Sequence, residues 1–186
     1  MANIFWGTVI AFDTSKFSGD KPATAADFFD TAKFPGKRGL PKNPKRTLYL
    51  ALIADGVAPD AIYDTLDTPE GVDRAFAKLD TIKKDVVWWE AGAQPVQLLA
   101  DGEVTMATGY NGRFFDAMVA EGKPFEIIWD GQYMDLDMFA IPKGSPNPEA
   151  AMQYLKYATD TQRLADQAKY IAYGPSRKSS AALVGM

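Results

Sequence analysis

The residues best equipped for chemistry lie in one run, Tyr133-Met134-Asp135-Leu136-Asp137-Met138-Phe139-Ala140-Ile141-Pro142. Side chains alternate across a strand, so Tyr133, Asp135, Asp137, Phe139 and Ile141 share one face, while Met134, Leu136, Met138 and Ala140 share the other. Aspartate is disfavoured in strands and an unpartnered buried carboxylate is costly, so two of them there call for an explanation. One explanation is a cleft-facing edge that receives a cation. The plainer one is a solvent-facing strand, or a carboxylate paired with a lysine. Asp residues at i and i+2 stand about 7 Å apart, near the carboxyl separation of an inverting glycosidase. Two groups pointing the same way from one strand do not flank a substrate, so the carboxylate-dependent hydrolase ranks behind the binding site.

A second constellation, Tyr110-Asn111-Gly112-Arg113, falls at an expected strand-to-helix junction, where α/β sheets place ligands. Helix-start amides favour anions, and Arg113 in the first turn suits a forked contact to a carboxylate. The alternative is that Asn111 only caps the helix and Arg113 is solvated. Gly36-Lys37-Arg38 and Lys42-Asn43-Pro44-Lys45-Arg46 read as exposed loop charges. Trp88-Trp89-Glu90 reads as core aromatics ahead of a ligand wall. Glu90-Ala91-Gly92-Ala93-Gln94 lacks the lysine and wide glycine spacing of a phosphate loop.

The chain contains no His and no Cys, which removes His-based triads, thiol nucleophiles, disulfides and the usual zinc, haem and iron–sulfur ligands. Any catalysis would have to rest on carboxylates, Lys, Tyr, Ser or an oxygen-ligated metal; no catalytic residue, metal site or cofactor is assigned. Its 20 basic and 24 acidic residues give a net charge of −4 without a basic run, which argues against nucleic acid as a partner. With 186 residues, 47% of them hydrophobic, the chain is long enough to bury a core. It has neither an apolar stretch long enough to span a membrane nor an export-signal pattern at its start.

The elements that must position these groups alternate between strand and helix. Ile4 to Phe12 reads as a buried strand; Thr24 to Asp27 opens a helix; the Pro- and Gly-rich stretch from Phe34 to Pro44 is a loop with a short extended piece. One helix carries Leu48, Leu52 and Ile53 up to Gly56, and Thr68-Pro69-Glu70 starts another that ends at Lys83-Lys84. Val86 to Trp89 is a short buried strand, Gln94 to Ala100 a helix and Val104 to Thr108 a strand. A helix follows from Asn111 to Gly122, with Asn111 as its cap and Phe114, Phe115, Met118 and Val119 inward. Phe125 to Trp129 and Met134 to Ile141 are strands; Pro148 to Ala158 and Gln162 to Ala172 are helices. This order implies an α/β sheet with helices on its faces.

Several segments match a known arrangement in order and spacing. They are Trp6-Gly7-Thr8, Leu98 with Gly102-Glu103-Val104, Tyr110 to Gly112, Asp137 with Ala140-Ile141-Pro142, the Asn147 to Tyr157 helix and Tyr173-Gly174-Pro175-Ser176. Over nearly its whole length the chain resembles the periplasmic solute-binding proteins of ABC importers, in particular the spermidine/putrescine-binding group. The resemblance implies one lobe of a type II periplasmic-binding-protein-like fold, a mostly parallel sheet flanked by helices. Residues 1–186 would form a single lobe, the second, with the first lobe and the export signal absent. It further implies a periplasmic parent that works with a membrane permease, is not an enzyme, and binds a small solute between two lobes. By position, Asp137 is similar to the carboxylate that holds a ligand amine and Tyr110 to the aromatic against its alkyl chain, with Gln94 and Tyr173 lining the same cleft. Members that bind polyamines carry acidic residues near Arg113 and near Lys45 and Arg46, where this chain is basic. That exchange favours a solute whose far end is anionic, such as 4-aminobutyrate, with Arg113 as its carboxylate contact, over putrescine or spermidine. Asp135 adds a second negative charge. A hinge strand left without its partner lobe invites self-association or strand exchange.

Overall fold

Neighbouring residues of the first strand, β1 (Ala2–Asp13), enter different cores: Ile10 and Phe12 join one apolar cluster, Val9 and Ala11 another. Alternation sends neighbours to opposite faces, so the sheet is covered on both. The computed structural model describes residues 1–185. The chain divides into two compact units, Thr8–Tyr133 and the combination of Met1–Gly7 with Met134–Met186.

In the Thr8–Tyr133 unit, β1 is followed by β2 (Arg38–Pro41), β3 (Val86–Trp89), β4 (Met106–Tyr110) and β5 (Phe125–Met138), in the spatial order β3-β2-β4-β1-β5. The sheet is mixed. Arg38↔Val86 and Arg38↔Met106 anchor parallel pairs, whereas β1 runs antiparallel to β4, with Thr8 opposite Tyr110. The parallel part is explained by helical crossovers, which parallel neighbours require. One face is packed by α1 (Ala25–Phe29), α2 (Pro44–Ala54), α3 (Ile62–Leu66) and α4 (Pro69–Asp80), through Phe28, Leu52, Ile62 and Ala75. The other is packed by α5 (Gln94–Ala100) and α6 (Asn111–Val119), through Leu99, Phe114 and Ala117.

Several expected elements are revised. Thr24 closes a full capping box with Asp27, as read. Asn43 and Pro44 start α2 earlier than its apolar stripe suggested, so Lys45 and Arg46 stand in a helical first turn instead of a loop. Arg38 is the reverse of a loop charge: it is fully buried. Tyr110, not Asn111, occupies the cap position of α6; Phe114, Ala117 and the half-buried Met118 pack on the sheet, whereas Phe115 and Val119 are exposed at 44% and 66%. The helix begun at Pro69 ends at Asp80, with a separate 3-10 turn at Lys83–Asp85. Two expected strands are one, β5, because Gly131 takes a φ of +71° within it and lets the chain continue. The Pro59–Leu66 helical stretch was not foreseen.

In the second unit, β6 (Gly174–Pro175) pairs antiparallel with the start of β1, Ile4 opposite Pro175. Met1 and Phe139 exchange backbone hydrogen bonds at 2.9 and 2.8 Å. The helices α7 (Pro148–Ala158), α8 (Thr161–Gln167) and α9 (Lys178–Ala181) complete it, with Leu155, Leu164, Ala165 and Ser180 buried. The face of Met134, Leu136 and Met138, read as the apolar side of a strand, is exposed at 56%, 48% and 69%. No helix among the described residues is long and apolar enough to cross a membrane.

Candidate functional site

Because β2, β3 and β4 are parallel, their carboxyl ends, Pro41, Trp89 and Tyr110, finish on one edge of the Thr8–Tyr133 unit. Each is followed by a helix start, which is the arrangement α/β sheets use to hold ligands. Pro41, Lys42, Asn43, Arg46, Trp89, Glu90 and Tyr110 line a cavity of about 240 Å³ there. Arg46 is half-buried with its guanidinium carbon 5.5 Å from the Tyr110 ring centre, within cation–π range. Trp89, 2% exposed, meets Tyr110 edge-on at 6.0 Å and 90°. Lys42 and Glu90 form a 3.4 Å ion pair, but both are largely exposed and bind each other weakly. Two buried polar atoms of this unit, Thr8 Oγ1 and Trp89 Nε1, have no hydrogen-bond partner among the described residues.

Tyr110 is therefore where the sequence places it, at a strand end facing a polar cavity, and its cationic neighbour is Arg46. Nothing in the local sequence signals that pairing, because the two residues come from different strand ends. Arg113 is exposed in the first turn of α6 and lines another groove, of about 380 Å³, with Gln97, Asp101, Asp116, Glu121 and Lys123. It does not line the Tyr110 cavity. The acceptor of Gln94 is engaged within its own loop: Oε1 receives the N–H groups of Glu90 at 2.8 Å and Ala91 at 2.7 Å. Next to the cavity, Lys45 stands 5.1 Å over Tyr133, whose hydroxyl accepts a 3.3 Å bond from Tyr63. That bond, with burial second, pushes Tyr63 up to about 12.

The second unit gathers Asp137 and Tyr173 around Trp6. The indole Nε1 donates to Asp137 Oδ1 at 3.1 Å, and the Trp6 and Tyr173 rings lie 6.3 Å apart, tilted by 36°. Asp137 is exposed and forms no ion pair among the described residues. A neutral indole fixes the carboxylate without cancelling its charge, so the group stays able to grip a cation. Asp135, two residues earlier, is half-buried. Among the described residues no cluster of three or more His, Cys, Asp or Glu is placed to hold a metal.

Residues 3–185 match the family model described as bacterial extracellular solute-binding protein. A gamma-aminobutyric acid-binding protein of Pseudomonas aeruginosa is 45% identical over 184 residues, covering 99% of this chain and 52% of that protein. The chain thus spans about half the length of that relative. An ABC transporter substrate-binding protein from Bradyrhizobium japonicum superposes with a TM-score of 0.89 at 39% identity, over 100% of this chain and 56% of the other. The GABA receptor Atu4243 does so with a TM-score of 0.85, also at 39% identity, over 99% and 56%. An α/β sheet whose strand ends carry aromatic and charged side chains, matched along almost its whole length, places this chain in the bacterial extracellular solute-binding protein family.

Proposed function

We propose that the protein is the solute-recognising part of an ABC importer's receptor, non-catalytic and periplasmic, and that its solute is an amino acid with separated amine and carboxylate, 4-aminobutyrate foremost. The observation that carries this reading is Asp137: a carboxylate oriented by the Trp6 indole, exposed, and unpaired with any cation among the described residues. An ammonium is the natural partner of such a group. Guanidinium groups supply the matching chemistry for the carboxylate. Arg113 is the contact expected from the sequence, and Arg46, set over Tyr110, is a second candidate. The names of the Pseudomonas relative and of Atu4243 support the same solute. Diamines fit less well, since a guanidinium repels a second ammonium.

Within this reading the chain corresponds to the second lobe of a two-lobe receptor that hands its solute to a membrane permease. Calorimetry on the full-length receptor with 4-aminobutyrate, putrescine and butyrate tests it. The expected order is 4-aminobutyrate tightest, with Arg46→Ala or Arg113→Ala narrowing its advantage over putrescine. Equal affinity for putrescine and 4-aminobutyrate in the unaltered protein would refute the assignment of an anionic end.

A further inference from the structure

The Tyr110 ring rests against a backbone that leaves no room for a side chain. A Cβ added at Gly92 would fall 2.5 Å from Tyr110 Cε2 and 3.1 Å from Cδ2, closer than carbon atoms approach. The chain is held at that distance by Gln94. Its Oε1 gathers the N–H groups of Glu90 and Ala91, and its own N–H donates to Ala91 O at 2.9 Å. The three bonds turn residues 90 to 93 into a tight loop between Trp89 and α5. Trp89, the residue just before that loop, packs edge-on against the same ring. Tyr110 is thus bounded by a strand-end indole and a glycine backbone, with Arg46 over its ring.

We propose that Gln94 is a positioning residue and not a solute contact: it locks the Glu90–Ala93 loop so that Gly92 and Trp89 fix the Tyr110 ring for the aliphatic segment of the solute. The proposal rests on Tyr110 being a solute-contacting ring. Gln94 is exposed, so its replacement leaves the cores untouched. The two accepted bonds are what a substitution removes, and two backbone donors lose their acceptor.

The test measures 4-aminobutyrate affinity by calorimetry in the full-length receptor. Gln94→Leu is expected to weaken binding about tenfold, the scale of a lost hydrogen bond or two, and Gln94→Glu, which keeps the acceptor oxygens, to restore most of it. Gly92→Ala should act like Gln94→Leu. In a Tyr110→Ala background, Gln94→Leu should add nothing, because a residue acting through the ring has no effect once the ring is gone. Unchanged affinity in Gln94→Leu, or a loss fully additive with Tyr110→Ala, overturns the proposal. If Tyr110→Ala itself leaves affinity unchanged, the reading of the ring as a solute contact is what fails, and the proposal falls with it.

Discussion

Arg38 shows how far a single side chain's environment can depart from its local sequence. Flanked by glycine, lysine and proline residues, it reads as a surface cation, yet it is fully buried and donates to the carbonyls of Phe28, Gly36 and Phe34 and to Thr105 Oγ1. Desolvation lowers its pKa to about 10, with Asp85 and Asp30 opposing that shift. The guanidinium ties the segment after α1 to β2, and removing it strands several buried carbonyls. Arg38→Met should therefore cost about 3 kcal/mol or more of stability, read from urea unfolding midpoints. Tyr63 offers a second test. Its folded-state pKa of about 12 lies above the ordinary 10, so the folded form holds its proton longer than the unfolded one. This contribution is intact below pH 10 and is lost as pH rises toward 12. Spectrophotometric titration should show Tyr63 ionising late, with Tyr49 also raised by its burial, and Tyr133→Phe should lower the Tyr63 value toward the ordinary range.

Local signals at helix starts were legible in the sequence because each acts within one turn. Thr24 and Asp27 close their capping box, and the Asp27 carboxylate accepts the N–H groups of Ala23 and Thr24 at 2.9 Å each. Burial pushes the Asp27 pKa up, but the hydrogen bonds from Ala23 and Thr24, with Lys33, prevail and hold it below 3.8. A depressed carboxylate stabilises the fold above its unfolded value and loses that contribution as pH falls through the folded one. Asp27→Asn should accordingly lower the melting temperature at pH 7, by an amount that shrinks as the pH falls below 3.8. Long-range features were less legible. Periodicity does not reveal that Gly131 keeps β5 continuous, or that Pro59–Leu66 is helical over so short a span. The candidate site divides the same way. Asp137 and Tyr110 stand out by residue type, whereas the Trp6 indole that orients Asp137 lies 131 residues away.

At the scale of the whole molecule, a chain spanning about half of its Pseudomonas relative has the candidate groups divided between its two compact units, Tyr110 and Arg46 in one and Asp137 and Tyr173 in the other. Receptors of this kind gain affinity by closing around the solute, so the chain by itself should bind 4-aminobutyrate roughly a hundredfold more weakly than the full-length receptor. Calorimetry on both forms compares them directly. The exposed face of Met134, Leu136 and Met138 gives a second expectation, because apolar strand surface left open promotes association. Sedimentation should show concentration-dependent self-association of the chain that Leu136→Lys reduces.

If Asp137 grips the solute's ammonium, its substitution is the most direct probe of solute recognition. In the full-length receptor, Asp137→Asn should weaken 4-aminobutyrate about tenfold to a hundredfold, as the loss of a charge-assisted bond predicts. Butyrate, which has no ammonium, should lose nothing. An unchanged 4-aminobutyrate affinity in that variant would contradict the account.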